Sequence, residues 1–225
     1  MALIESKEKK NYISILGSDA TLRKVVPEGT TGAVTRIYKD SKDAEHTKIE
    51  KVYESVSGLI TDIVTVDTEY GTLLQVTLTD TDEFLPSEPE VLSMSTSSEF
   101  GTDFMKKLPN IDLAKVITVR PYKFTPEDAK RELKGLSITQ DGNKIEKSFV
   151  EKQGDVWVNT MGYPTPEATL KDQKNEMKRK EGWKRYFKDA EIFLVDYTNE
   201  NFVSKFNKKT IDETLDDEVK IPDDY

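Results

Sequence analysis

Residues 51–67, K-V-Y-E-S-V-S-G-L-I-T-D-I-V-T-V-D, decide the fold. Val52, Val56, Ile60, Ile63, Val64 and Val66 make this run rich in β-branched side chains, which fit a pleated, half-buried surface. The strand signal begins at Ile49, and Gly58 in its middle marks a bulge or sharp bend. Tyr70-Gly71 supplies a turn, after which Leu74, Val76 and Leu78 alternate with Gln75, Thr77 and Thr79. Such alternation is a half-buried strand, so the two runs make a hairpin.

Outward from this hairpin, Thr30 to Lys39 reads as a strand and Asp40 to Lys48 as a charged loop. Glu90 to Met94 is a short strand behind Pro86 and Pro89. The period then changes. Phe100, Phe104 and Leu108 recur on one helical face, Ser97 or Ser98 can cap, and Pro109-Asn110 ends the helix. Ala114 to Phe124 is strand again. Leu136 to Phe149 is a hairpin about Asp141-Gly142-Asn143, a strong turn signal. Between them, Thr125 to Lys134 carries its own cap signal and reads as a short helical insertion. The order is strand, strand, strand, helix, strand, strand. Beyond Val150 the pattern predicts a short strand at Val156-Trp157-Val158 and a helix from Thr165-Pro166-Glu167 to Lys188, weakened at Gly182. A strand at Ile192 to Tyr197 and a short helix at Asn199 to Lys208 follow.

The chain has 225 residues, no cysteine and one histidine. Disulfides, thiolate metal sites and cysteine nucleophiles are therefore excluded. His46 sits in a charged loop without a partner at ligand spacing, which leaves a Ser-His-Asp site without a suited base. The glycines form neither phosphate-cradling motif. Acidic residues cluster around the first hairpin (Asp62, Asp67, Glu69, Asp80, Asp82, Glu83) without the spacing of a calcium loop. The expectation is a protein without catalytic residues, metal or cofactor. The first residues lack the apolar centre of a signal peptide, and no apolar run reaches membrane-spanning length. A soluble, intracellular protein without membrane contact is expected.

Charge is unevenly distributed. The chain carries 33 basic and 42 acidic residues, a net of −9. Residues 210–225, T-I-D-E-T-L-D-D-E-V-K-I-P-D-D-Y, hold seven carboxylates against Lys220, and without them 32 basic face 35 acidic residues, a net of −3. A segment so poor in apolar surface is expected to be a disordered tail, and a like-charged end is commonly an interaction tail. The body behind it is near neutral and can present a basic face.

Two stretches have the composition of such a face. In Val119 to Phe124, alternation sets Arg120, Tyr122 and Phe124 opposite Val119, with Lys123 beside them; rings stack on bases while cations hold phosphates. The other reading of Tyr122 and Phe124 is core. Lys171 to Lys188 has a local net of +5 with Trp183, Tyr186 and Phe187 interleaved among Lys184, Arg185 and other cations. The other reading there is an amphipathic helix burying Leu170, Met177, Trp183 and Tyr186 or Phe187. Tyr53, Trp157 and Tyr163 are further candidates for base contact.

Three strands, a helix and two strands resemble the OB-fold, a small Greek-key barrel with its helix between the third and fourth strands. Joined to an acidic end closing on an aromatic, this resembles the single-stranded DNA-binding proteins, particularly the phage type. Bacterial members end in an acidic run followed by Ile-Pro-Phe; here Ile221-Pro222 precedes Asp223-Asp224-Tyr225. The resemblance implies a mainly β chain, an OB-fold β-barrel with added helices, divided into an N-terminal extension (1–29), a DNA-binding domain with a C-terminal helical elaboration (30–209) and an acidic tail (210–225). It implies sequence-independent binding and protection of single-stranded DNA in phage replication and recombination, in the host cytoplasm, and leaves room for a homo-oligomer. Asp216, Asp217, Glu218, Asp223, Asp224 and Tyr225 would contact replication proteins such as a polymerase or helicase, and the tail would compete for the DNA groove. The alternatives are a phage structural or assembly protein with a solubilising tail, and an OB-like module for RNA.

Overall fold

A computed structural model describes residues 11–39, 43–80, 88–127, 132–154, 156–170 and 172–206, the Trp157 side chain excepted. The chain forms β1 (Asn11–Leu16), β2 (Thr21–Val25), β3 (Val34–Lys39), β4 (Glu45–Tyr53), β5 (Val56–Thr68), β6 (Gly71–Thr79) and β7 (Glu90–Ser95). Helix α1 (Glu99–Lys107) follows, then β8 (Ile117–Phe124), β9 (Leu133–Gln140), β10 (Asn143–Lys144), β11 (Val150–Gln153), β12 (Val156–Asn159) and helix α2 (Glu176–Thr198). Ten strands make one sheet in the order β10-β9-β8-β5-β6-β7-β1-β2-β4-β3, and β11 pairs with β12. The fold is mainly β with two main helices, and among the described residues no strand pairing closes the large sheet.

The hairpin at the centre forms as its sequence predicts. Leu74, Val76 and Leu78 of β6 are buried against Ile60 and Ile63 of β5. The 49–67 run is nevertheless two strands. It breaks at Glu54-Ser55, where β4 leaves its partners β2 and β3 and β5 takes up β6 and β8. No glycine or proline marks that break; different strand partners on either side of it impose it. Gly58 lies in regular pairing with β8, and its missing side chain lets β6 approach, since a Cβ there would stand 3.0 Å from the Thr79 carbonyl oxygen. The bulge falls between Ile60 and Asp62.

The N-terminal extension is a correction: β1 and β2 are integral to the sheet, with Ile13 and Leu22 buried in the core. β1 runs parallel to β7 and antiparallel to β2. Helix α1 matches expectation, with Ser98 accepting the Gly101 N–H at 3.0 Å and Phe100, Phe104 and Leu108 buried. Asp141 and Gly142 both take positive φ (51° and 76°) in the two-residue turn from β9 to β10. That is the hand a tight hairpin requires. Leu133 and Lys134 open β9 instead of ending a helical insertion, and residues 128–131 lie outside the described residues.

The C-terminal third departs most. Thr165-Pro166-Glu167 opens only a 3-10 turn at Ala168–Leu170; α2 starts at Glu176, capped by Asn175, whose side chain accepts the Lys178 N–H at 3.1 Å. It runs unbroken through Gly182 and through Ile192 to Tyr197, which are helix and not strand. The run misleads because Phe193, Leu194 and Tyr197 serve one helical face. Leu194 is fully buried, and Phe193 and Tyr197 pack on Phe149 with ring centroids 5.7 and 5.0 Å apart. Asn199–Val203 continues as a π-helical turn. Residues 207–225, including Asp216 to Tyr225 of the expected acidic tail, lie outside the described residues.

Candidate nucleic-acid interface

Helix α2 is most deeply buried towards its C-terminal end. Ala190, Leu194 and Thr198 are its buried residues. Glu191 accepts the Thr96 hydroxyl at 2.7 Å, and Asn199, just past the helix, accepts the Thr65 hydroxyl at 2.8 Å. Its first residues, Lys174 to Glu181, are all exposed, Met177 at 73%, whereas Gly182 packs closely on Leu170 and Tyr186 is hydrogen-bonded to Tyr163. The amphipathic-helix reading fails at Met177, which is not core, while Leu170 is buried and Trp183 and Tyr186 are half-buried. The inward stripe continues towards the N-terminus at helical spacing, three, four and seven residues before Ala190. Those positions are Phe187, Tyr186 and Trp183. Their rings pack on one another, Trp183 on Phe187 at 5.9 Å and Tyr186 on Phe187 at 5.3 Å, yet Phe187 remains 59% exposed.

Beside this ring cluster lies an open cleft of ≈ 630 Å³ between α2 and α1, lined by Tyr186 and Phe187 among others. Lys106 of α1, Lys134 of β9 and Lys147 line it together with Lys184 and Lys188 of α2, against Glu99, Asp103 and Glu191. Five cations line the cleft against three anions, and Lys134 is also paired with Glu132 at 3.1 Å. Lys147 lies 2.6 Å from Asp103 and Lys188 3.1 Å from Glu191. Among the described residues Lys184 makes no ion pair. Burial and the neighbouring Lys147 charge hold the Lys106 ammonium below the ordinary lysine range. Burial raises the hydroxyls of both Tyr163 and Tyr186, which are hydrogen-bonded to each other.

Asp103 and Lys107 form the wall between the cleft and the sheet. The Asp103 carboxylate accepts the Leu136 N–H at 2.7 Å, and the Lys107 ammonium, 3.0 Å from Asp103, donates to the Leu136 carbonyl. Burial raises the Asp103 pKa, but hydrogen bonds from Lys147 and Leu136 and the charges of Lys147 and Lys107 outweigh it, leaving the carboxyl below the ordinary range.

The β8 face adjoins this wall. Val119 and Pro121 are buried, while Arg120 and Phe124 are exposed on the opposite face, as alternation predicts. Tyr122 and Phe124 contact at 6.0 Å. Tyr122 lies over Gly135, where a Cβ would be 2.7 Å from its hydroxyl and 2.8 Å from Asp103 Oδ2. The platform and the cleft thus meet at Gly135. Arg120 reaches Glu54 at 3.3 Å, which brings the neighbouring Tyr53, 39% exposed, to the β4–β5 corner beside the platform. Lys123 faces away, donating to the Ser18 carbonyl in the β1–β2 turn and lying 3.7 Å from Glu132.

Of the residues singled out in the sequence, Tyr163, Lys184 and Tyr186 line the cleft and Trp183 flanks it. Arg185 turns to a second hollow of ≈ 270 Å³, bordered by Leu170 and Gly182. Tyr163 is core: it is 7% exposed, packed on Phe149 and Phe193, with the Lys106 ammonium 4.7 Å from its ring centroid. Trp157 lies on β12 opposite Lys152. Lys106, Lys134 and Lys147 escaped the sequence reading because they come from a helix, a strand and a loop with no shared motif. Among the described residues no three acidic or histidine side chains converge to hold a metal ion. No helix of the described residues is long and apolar enough to cross a membrane. Comparisons with protein-family models, with curated proteins and with solved structures find no match for this chain.

Proposed function

We propose that this chain is a non-enzymatic protein that binds single-stranded DNA with little regard to sequence. The observation that carries the proposal is the ring cluster of Trp183, Tyr186 and Phe187 beside a cleft lined by Lys106, Lys134 and Lys147. Aromatic rings need exposed base faces, which a single strand offers and a stacked duplex hides. Each stacked base is worth about 1–3 kcal/mol, and each neutralised phosphate releases counterions. The platform of Arg120, Tyr122 and Phe124, meeting the cleft at Gly135, lengthens the track.

The strand order supports an OB-like reading of residues 56–140. β5, β6, β7, α1, β8 and β9 follow one another in that arrangement, and β8 returns to pair with β5. β9 does not close onto β7, whose other edge is taken by β1; α1 borders β9 instead. In this reading the chain serves phage replication and recombination in the host cytoplasm. Its acidic tail competes for the cleft when DNA is absent and reaches replication proteins when the cleft is filled. Fluorescence anisotropy with labelled oligo-dT, oligo-U and a duplex of equal length tests it. Binding to oligo-dT well above duplex supports the reading, and binding to none of the three removes it.

A further inference from the structure

The two ends of the ten-stranded sheet are finished differently. At the β9 end, outward backbone groups are met in turn: Leu136 by Asp103 and Lys107, the Ile138 carbonyl by the Ile145 N–H at 2.8 Å, and Gln140 by β10. At the other end β3 is hydrogen-bonded only to β4, so among the described residues no strand lies along its far side. β3 holds no proline, its pairing with β4 is regular, and Val34 and Ile37 are 43% and 62% exposed. An edge of this kind is a template for another strand. The ribbon's outer half also extends beyond β2, which pairs with β4 only over Glu50–Tyr53.

We propose that β3 pairs antiparallel with β3 of a second copy of this chain, on a two-fold axis at Ile37. Neighbouring residues along a strand turn their N–H and C=O groups to opposite edges. Identical antiparallel strands related by a two-fold axis normal to the sheet therefore always set one residue against its own copy. Near the middle of β3 that residue is Arg36 or Ile37. The Arg36 register opposes two guanidiniums, which is unfavourable. The Ile37 register sets Ile37 against Ile37, Thr35 against Lys39, and Arg36 against Tyr38, with no like charges opposed. It covers the most exposed apolar side chain of the edge. The Tyr38 ring is already suited to cations, with Arg36 at 5.0 Å and Lys48 at 5.1 Å from its centroid. Arg36 is itself held by the buried Glu50 at 2.7 and 2.8 Å, so its charge is balanced within each copy. Six residues make less than the roughly 1,600 Å² of a standard interface, so the association is weak and reversible. A net charge of −9 on each copy opposes it at long range, so added salt raises the dimer fraction.

The chain has no cysteine, which makes single-cysteine crosslinking on the full-length protein a clean test. Under mild oxidation Ile37→Cys forms the disulfide dimer about tenfold faster than Arg36→Cys or Tyr38→Cys, because only the on-axis residue meets its own copy at bonding distance. In sedimentation equilibrium of the cysteine-free chain, Ile37→Lys weakens self-association about tenfold by opposing two ammoniums. Equal crosslinking at all three positions, faster crosslinking at another, or a natural-sequence chain that stays monomeric at about 1 mM overturns the proposal.

Discussion

The Asp103 carboxylate accepts the Leu136 N–H at 2.7 Å and so occupies the place a neighbouring strand would take beside β9. With Lys107 on the Leu136 carbonyl, one helical turn of α1 satisfies both backbone groups of an edge residue. The Asp103 and Lys107 side chains are 4% and 3% exposed, so neither charge can turn to water if the other is removed. Asp103→Asn leaves Lys107 uncompensated and is expected to cost about 3 kcal/mol in denaturant unfolding at neutral pH.

The same contact sets an acid limit. The folded-state pKa of Asp103 is lowered, so its contribution is fully present above the unfolded value of 3.8 and is lost as pH falls through the lower folded value. Unfolding free energy measured from pH 5 downward should fall with a steeper slope in the natural sequence than in Asp103→Asn. Parallel slopes would show that the carboxylate is not coupled to folding.

Gly101 carries a second structural prediction. In an exposed helix interior, alanine is more favourable than glycine by about 1 kcal/mol. Here a methyl would run into the Ser95 carbonyl oxygen and stand 3.2 Å from the Thr96 Cα, both of them backbone. Gly101→Ala should therefore destabilise the chain by about 2 kcal/mol or more, against its helix propensity. Thermal unfolding checks the sign.

The tail prediction rests on charge. A chain ending at Lys209 lacks seven carboxylates and one lysine. It should bind oligo-dT more tightly than the full chain at low salt, with the difference shrinking as salt screens the attraction. Equal affinities at every salt concentration would remove tail competition.

Much of the sheet was legible because its signals are local. The alternation in Leu73 to Thr79, the Ser98 cap and the Asp141-Gly142 turn each act within a few residues. The β4–β5 break was not legible, because Glu54-Ser55 is unremarkable as sequence and the change of strand partners there imposes it. Ile192 to Tyr197 is helix for a related reason: a short apolar run suits a strand as well as a helix until a partner such as Phe149 claims one helical face. At the site, Lys184 and Tyr186 stood out as part of a basic, aromatic run. Lys106, Lys134 and Lys147 did not, since their convergence exists only after folding. Tyr163 shows the converse, an aromatic that the fold takes for its core.

The most direct test of the cleft is the affinity of oligo-dT for the natural sequence and for Phe187→Ala across a salt series, read by tryptophan fluorescence. Phe187 is 59% exposed, so its loss should change stability by no more than about 0.5 kcal/mol. The expected result is binding about tenfold weaker in Phe187→Ala, from loss of one stacking surface. For Z phosphates contacted, log affinity should fall against log salt with a slope of about −0.7Z, and Lys184→Ala should reduce that slope. Duplex bound as tightly as oligo-dT, with affinity unchanged by Phe187→Ala, would contradict the assignment of the cleft to a single strand.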